Sequence, residues 1–217
     1  MADSRRKTAS PPAKPATVSR ARVDHDLRKA EFLRAAATVL LDKGASASMQ
    51  EIAEGCGAQK PVFYRVFASR GDLMDALFQH VHDAIVEVQK GKWDGYGWAL
   101  RVLYLEARKE REVFLVVLNT LRGDPDLDHW RRKLADLLHT KALLFFEPEP
   151  GAPPGAQARA IRASQTLSTM SFDTLVAWLE GKDGLSDEAR FKWWGRIVRE
   201  WRKATREAFR LDAPGGA

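Results

Sequence analysis

The sequence of 217 residues contains a single cysteine, Cys56, and no long uninterrupted apolar run. One cysteine leaves no partner for an internal disulfide, and a chain without disulfides is typical of a reducing compartment, so we expect a cytoplasmic protein. A membrane-spanning helix needs about 20 predominantly apolar residues, and because no such stretch is present, no membrane span is predicted. The N-terminus likewise lacks the apolar core of a secretory signal peptide.

Catalytic and metal-binding patterns are also missing. His80 and His82 lie two residues apart, which places them on different sides of a helix, and His129 and His139 have no partner three or four residues away. No glycine-rich phosphate loop is present, and no Ser/His/Asp or Cys/His pattern has local support. We therefore do not expect an enzyme, and we predict neither a bound metal nor a cofactor.

Strand-like alternation of apolar and polar residues is scarce, whereas helical spacing recurs along most of the chain. Ser48 lies three residues before Glu51, which is the spacing of a capping box, and Pro61 falls in the first turn of a helix, where its missing N–H costs little. Spacing and these start signals predict an all-α protein. The predicted helices lie at about 26–42, from Ser48, from about Gln59, from about Ser69 through Val88, and at about 98–110, 111–121, 126–146, 156–180 and 187–209.

Composition divides the chain into unequal parts. Residues 26–72 are predicted to form a small three-helix unit, and residues 73–211 a larger bundle that contains all seven tryptophans. Residues 212–217 are expected to fray. Residues 1–24 carry six basic and two acidic side chains, so we expect 1–25 to be a disordered basic arm. Such an arm either lies along DNA phosphates or in a minor groove, or is a solvated leader.

The most informative stretch runs from Ser48 to Phe67, with the sequence SMQEIAEGCGAQKPVFYRVF. It places two short helices around a glycine-bearing turn, in which Cys56 is interpreted as a small buried residue. Phe63 and Phe67 are spaced for the core, while Lys60 and Tyr64 are expected on the outer side. These outer side chains suit phosphates and base edges. The pattern therefore predicts a helix-turn-helix that enters a DNA major groove.

Residues 26–80 resemble the N-terminal domain of TetR-type transcriptional regulators, whereas the rest is similar to that family only in length and helicity. The matching positions, all at the family's spacing, are Phe32, Gly44, Ser48, Ile52, Ala53, Gly57, Phe63, Tyr64, Phe67 and Leu73. The resemblance implies a homodimer whose N-terminal domains read two halves of a palindrome. It also implies that the bundle holds a ligand pocket and the dimer interface.

The resemblance further implies which residues meet DNA. Gln59, Lys60, Pro61 and Val62 fall where members of the family approach base edges. Tyr64 and Arg65 fall where they touch phosphates, and Ser48 and Arg70 lie at helix starts that face the DNA backbone. The chain departs from the family's common residues at Gln59, Pro61 and Val66.

The last two predicted helices offer large apolar and small side chains at helical spacing. Two interpretations remain open: a four-helix interface between two copies, which the resemblance favours, or completion of each copy's own core. The residues concerned are Phe191, Trp194, Ile197, Val198, Trp201 and Phe209, with Ala160, Ala163, Ser164, Ser168 and Ser171 on the helix before. A pocket among the middle helices would be mostly apolar, which predicts an apolar or aromatic effector.

Together these patterns predict a sequence-specific regulator of transcription that binds double-stranded DNA as a homodimer and responds, as a repressor, to a small molecule. The long fourth helix, Leu73–Val88, is the expected lever between the bundle and the DNA-binding unit. The alternatives are an activator, a regulator without a ligand, and a helical ligand-binding bundle with no DNA function.

Overall fold

The computed structural model describes residues 20–44, 46–91, 95–120 and 127–211, and every regular element in these ranges is helical. This confirms the predicted all-α fold. The α-helices are α1 (Arg20–Lys43), α2 (Met49–Gly55), α3 (Lys60–Val66), α4 (Arg70–Lys90), α5 (Tyr96–Ala107), α6 (Arg111–Thr120), α7 (Asp128–Phe146), α8 (Ala156–Glu180) and α9 (Asp187–Leu211). A 3-10 turn, Arg108–Glu110, connects α5 to α6.

The helix starts in the N-terminal part follow the predicted capping signals. The Ser48 hydroxyl accepts a hydrogen bond from the Glu51 backbone N–H at 3.2 Å, and the Glu51 carboxylate accepts one from the Ser48 N–H at 2.9 Å. Ser69 and Asp72 make the same reciprocal pair at the start of α4, at 3.1 and 3.0 Å. Both capping boxes satisfy backbone donors that would otherwise lack a partner in the first turn.

The largest difference from the expected boundaries is at α1, which begins at Arg20 rather than Asp26. Residues 20–25, expected in the arm, are therefore helical. The stretch from Ala16 to His25 contains neither proline nor glycine, so no helix-breaking residue prevents α1 from beginning before Asp26. The rest of the predicted arm, residues 1–19, and the predicted tail, residues 212–217, lie outside the described residues.

A compact aromatic core joins α1 to α3, and α2 packs on α1 beside it. Phe63 and Phe67 are buried, with their ring centroids 5.4 Å apart, and Phe32 of α1 lies 5.5 Å from Phe63. The end of α2 crosses α1 at Gly55, where a Cβ would lie 2.4 Å from a methyl of Val39. Only a residue without a side chain allows so close a crossing.

In the bundle, α5 is the central helix and packs against α4, α7, α8 and α9. The crossing of α5 and α9 is close as well, because a Cβ on Gly97 would lie 3.2 Å from the Gly195 Cα. The neighbouring helices α7 and α8 pack along each other and share a 2.8 Å contact between His139 Nδ1 and the Ser164 hydroxyl. No helix in the described ranges combines the length and the apolar character needed to cross a bilayer.

Most of the residues considered for a four-helix interface are buried inside a single copy. Trp194 and Ala160 are fully buried, and Val198 is 2% exposed. The small side chains Ala163, Ser164, Ser168 and Ser171 are also buried, while Phe191, Ile197 and Trp201 are half-buried and the side chain of Phe209 lies outside the described residues. These buried residues complete the core of one copy, so an interface between copies has to use other side chains.

Candidate nucleic-acid interface and effector cleft

The turn between α2 and α3 is fixed by backbone hydrogen bonds. The Ala58 N–H donates to the Ala53 carbonyl at 3.1 Å and the Gly57 N–H to the Glu54 carbonyl at 3.0 Å. Gly57 has a φ of +62°, a left-handed conformation that suits a residue without a Cβ. This is the Schellman arrangement of a helix end, and it sets the direction in which α3 leaves α2.

The outer face of α3 is exposed while its inner face is buried. Gln59, Lys60, Pro61 and Arg65 are exposed and Val62 is half-buried. The Tyr64 side chain is 39% exposed, next to the fully buried Phe63. Six of the eight predicted DNA-contacting residues therefore lie on or beside one accessible helical surface.

The other two predicted contacts lie at helix starts, where both make local hydrogen bonds. Ser48 is exposed and its hydroxyl belongs to the capping box of α2. Arg70 is half-buried, and its guanidinium donates to the Ala47 carbonyl at 2.5 Å. This bond ties the start of α4 to the connection between α1 and α2. Both side chains thus stabilise the frame around α3, and their contact with DNA stays a prediction.

Acidic side chains balance part of the positive charge near α3. Lys60 Nζ lies 4.0 Å from a Glu54 oxygen, and both side chains are at least half exposed. A pair so long and so exposed contributes little, so Lys60 can leave Glu54 for another partner at small cost. Hydrogen bonds from the Ser48 N–H and hydroxyl, followed by Lys43, lower the pKa of Glu51 to about 2. Glu51 therefore stays charged at the positive end of α2.

Cys56 is half-buried in the turn, with its sulfur 3.9 Å from the Phe32 carbonyl. Burial raises the pKa of the thiol to about 11. A thiol with so high a pKa is protonated and unreactive near neutral pH. This agrees with the packing role that the sequence predicts.

The bundle contains an apolar cleft between the C-terminal end of α4 and the helices α5, α7 and α8. The cavity volume of this cleft is about 30 Å³. Ligand sites commonly offer about 300–1,000 Å³, so the cleft is narrow in this state. Its lining consists of Ile85, Val88, Gln89, Gly91, Trp98, Ala99, Leu100, Leu103, Leu138, Lys141 and Ser171.

Helix α4 is attached to the bundle along its length. Near its start, Asp75 accepts a 2.8 Å hydrogen bond from the Trp130 indole, whose ring stacks on Phe78 at 5.5 Å. Near its end, the Gln89 amide donates to the Leu137 carbonyl at 2.8 Å. Helix α4 thus follows α3 in the chain and also forms one wall of the cleft.

A charged junction that no sequence pattern indicated joins α1, α4 and the 3-10 turn. Glu110 accepts a 2.8 Å hydrogen bond from Arg34 Nε on one oxygen, and its other oxygen contacts His80 Nε2. Arg34 and Glu110 are 76 residues apart, so only the fold brings them together. From the sequence, His80 is considered only together with His82, and the two are not expected to form a metal pair. In the described ranges no three His, Cys, Asp or Glu side chains are arranged to hold a metal.

Comparison with known proteins agrees with this geometry. Residues 32–77 match the family described as "Bacterial regulatory proteins, tetR family". The chain is 39% identical over 66 residues to the HTH-type transcriptional activator FasR of Mycolicibacterium smegmatis, which covers 30% of this chain and 30% of that protein. The match to this relative thus spans less than a third of its length.

A solved structure is similar over most of the chain. The crystal structure of a tetR-family transcriptional regulator from Streptomyces coelicolor matches with a TM-score of 0.56 at 16% sequence identity, covering 87% of this chain and 92% of that one. This similarity shows that the two chains share a fold. The N-terminal unit, residues 32–77, thus matches the tetR family of bacterial regulatory proteins, and a fold shared with a tetR-family regulator extends over most of the chain.

Proposed function

We propose that this regulator acts in the cytoplasm as a ligand-responsive repressor that binds a palindromic DNA site as a homodimer. The observation that carries the proposal is the exposed outer face of α3, held at a fixed angle by the Schellman turn after α2. Because Phe63 and Phe67 anchor the inner face in the core, the outer face can enter a major groove without rearrangement.

The proposed contacts fall into three groups. The start of α3 approaches base edges, its middle touches phosphates, and the starts of α2 and α4 face the DNA backbone. The residues proposed at base edges are Gln59, Lys60, Pro61 and Val62. Those proposed at phosphates are Tyr64 and Arg65, and those facing the DNA backbone are Ser48 and Arg70. In a dimer, the two α3 helices would lie in successive major grooves about 34–36 Å apart.

For the dimer we propose the outward faces of α8 and α9. Ile161 on α8 is 37% exposed and Trp193 on α9 is 49% exposed, whereas Leu167, Trp178 and Trp194 of the same two helices are already buried in one copy. Exposed tryptophan and isoleucine on neighbouring terminal helices are suited to an interface between identical subunits.

The proposed effector is an apolar or aromatic molecule that binds in the cleft beside α4. The lining is mostly apolar, with Gln89 and Lys141 among its few polar side chains. Because the cleft is narrow, such a molecule has to move its walls apart, and α4 is one of them. We infer that this movement shifts the attached DNA-binding domains to a spacing that does not fit the operator. By reciprocity, DNA weakens effector binding by the same factor.

A second candidate is an activator. The relative from Mycolicibacterium smegmatis is named a transcriptional activator, and the same DNA-binding geometry serves either sign of regulation. A reporter gene placed behind the bound site separates the two, because a repressor lowers and an activator raises its expression. A regulator without a ligand would give a reporter signal that no small molecule changes.

Selection of bound duplexes from a random pool tests the central proposal. We expect the purified protein to enrich a palindrome, whose half-site spacing then reports the dimer geometry. Lys60→Ala and Tyr64→Ala should each weaken binding to it, and Arg65→Ala, which removes one proposed phosphate contact from each subunit, should reduce the steepness of log affinity against log salt by about 0.9 per contact. Lys182→Ala is the matched control, since Lys182 is exposed in the loop between α8 and α9. A protein that enriches no sequence contradicts the proposal.

A further inference from the structure

The junction around Glu110 connects three parts of the molecule through one carboxylate. Oε1 accepts from Arg34 on α1, in the DNA-binding domain, and Oε2 contacts His80 on α4. Glu110 itself belongs to the 3-10 turn that follows α5. Each oxygen of a single side chain is thus assigned to a different helix.

The environment of Glu110 keeps this carboxylate charged. Its side chain is 18% exposed, while those of Arg34 and His80 are 54% and 30% exposed. Burial acts to raise the pKa of Glu110, but the hydrogen bonds from His80 and Arg34 outweigh burial, and the pKa is lowered. A mostly buried carboxylate with both oxygens occupied is a stronger link than a surface pair.

One of the three elements at this junction, α4, also forms a wall of the cleft, and α5, which leads into the 3-10 turn of Glu110, forms another. Leu103 lines the cleft from α5 and precedes Glu110 by seven residues, which is about 10 Å along a helix. Ile85 lines it from α4 and follows His80 by five residues, about 7.5 Å. A molecule that separates α4 from α5 therefore also pulls His80 away from Glu110.

We propose that Glu110 is the coupling residue between the cleft and the DNA-binding domain. In the closed state it holds α1 and α4 together, and the domain then has the orientation that binds DNA. Separation of α4 and α5 breaks the contact between His80 and Glu110, so that α4 is no longer held to α1 through this carboxylate and the domain changes its orientation. Glu110 acts through these contacts and touches neither DNA nor effector. The inference rests on the proposed function, and it adds a residue and a route to it.

The first experiment measures the orientation of the domain without DNA. In a Cys56→Ser background, dyes are placed at Gln50→Cys on α2 and Thr140→Cys on α7, both exposed. An excess of unlabelled protein ensures that each assembly carries one labelled copy. Single-molecule energy transfer should show one narrow population in the parent, and a broader or shifted one in Glu110→Gln and Arg34→Met.

Glu106→Gln is the matched control for Glu110→Gln. It removes the same charge four residues earlier. There, within the described part of the chain, Glu106 pairs at 2.5 Å only with Lys109, three residues further along the chain, and not with α1 or α4. We expect it to leave the distribution unchanged. Arg34→Met guards against a folding defect in the Glu110 variant, because the Arg34 side chain is more than half exposed. Distributions like the parent's in both junction variants would overturn the proposal.

The second experiment measures affinity for the palindrome that the parent protein selects. Glu110→Gln should bind it about threefold to tenfold more weakly, the range that the net loss of one ordinary hydrogen bond produces. Removal of a negative charge by itself would strengthen binding to DNA, so a weaker affinity identifies the junction as the cause. The double variant Arg34→Met/Glu110→Gln should bind no more weakly than the weaker single variant, because both break one link.

The outcomes separate this inference from the proposed function. If the parent selects no DNA, the proposed function is lost, and energy transfer alone still shows whether the junction orients the domain. If the parent binds DNA and Glu110→Gln binds it equally well or more tightly, the junction is a structural contact and the inference is wrong. Effects of the two single variants that simply add also contradict a shared link.

Discussion

In the N-terminal domain, α2 and α3 have seven residues each, whereas α8 and α9 of the bundle have 25 each. Helices of seven residues are not stable alone, so α2 and α3 depend on caps, on a backbone-defined turn and on a small aromatic core. The long helices of the bundle instead meet through side chains, among them several charged groups. The comparison indicates that the recognition surface is a rigid unit, while the bundle contains the contacts that can rearrange.

The most severe test of the rigid unit is Gly55→Ala. The new Cβ would lie 2.4 Å from a methyl of Val39, which is buried in α1 and cannot rotate freely within a helix. We expect a loss of about 2–3 kcal/mol in the free energy of unfolding, as for other overpacked sites, and a loss of DNA binding with it. Urea unfolding gives the first quantity.

Two further variants make the Gly55 result specific. Gly71→Ala, in the first turn of α4, places its Cβ no closer than 3.6 Å to the Ser69 hydroxyl and should not destabilise the protein. Val39→Ala removes the obstructing methyl, so the double variant Gly55→Ala/Val39→Ala should recover part of the loss. Equal stability of Gly55→Ala and the parent would show that α1 and α2 are not packed as closely as described.

The bundle is tested next at Arg190, which is 6% exposed. Its guanidinium donates to Asp183 at 2.5 Å, to Asp187 at 3.2 Å and to the Tyr104 hydroxyl at 3.0 Å. This network holds the start of α9 on α5. Arg190→Met should therefore reduce the free energy of unfolding by about 2 kcal/mol, whereas Arg108→Met, on the exposed side of Asp187, should have a smaller effect.

The contact between Arg190 and Asp183 should also make the stability of the protein depend on pH. The hydrogen bond from Arg190 is the main cause that lowers the pKa of Asp183. A carboxyl whose pKa is lowered on folding stabilises the native state above its unfolded pKa of about 3.9, and this stabilisation is lost as the pH falls through the folded value. In Arg190→Met, stability should fall less steeply below about pH 4 than in the parent. If stability fell with pH equally steeply in the parent and the variant, the pKa of Asp183 would not depend on Arg190.

The elements that the sequence predicts well are those fixed by neighbours in the chain. The capping boxes of Ser48 and Ser69 and the turn at Gly57 each rest on residues within five positions, so their signals are local. The link from Arg34 to Glu110 spans 76 residues and that from Tyr104 to Arg190 spans 86. Such contacts are determined by how long helices pack, which local spacing does not specify.

The same reason explains why the sequence left open whether the apolar side chains of α8 and α9 face their own copy or a second one. The apolar spacing of α9 is visible in the sequence, but spacing alone does not say whether a stripe faces its own copy or a second one. Trp194 and Val198 are buried by the chain itself. Trp193 faces outward and does not belong to the apolar stripe of α9, so nothing in the sequence distinguishes it as a candidate for an interface.

A smaller effect is expected at the crossing of α5 and α9. Gly97→Ala places a Cβ 3.2 Å from the Gly195 Cα, which moves the two helices apart slightly and should cost about 1–2 kcal/mol of stability. Gly195→Ala is the natural control, because its Cβ meets only the end of Arg199 at 3.5 Å. Because alanine has a higher helix propensity than glycine, Gly195→Ala should raise the free energy of unfolding by up to about 1 kcal/mol. Thermal unfolding of the two variants should shift in opposite directions.

The smallest expected effect concerns Ser48, and it separates the two roles assigned to this residue. Ser48→Ala removes the cap of α2 and should cost about 1 kcal/mol of stability. Ser48→Asp keeps a capping oxygen, so its stability should stay near the parent's, but it places a negative charge where the DNA backbone is proposed to lie. If Ser48 faces a phosphate, Ser48→Asp binds the selected palindrome more weakly than Ser48→Ala despite being more stable. If the order of affinities instead follows stability, Ser48 acts only as a cap, and the proposed contact surface shrinks to the residues of α3 and the start of α4.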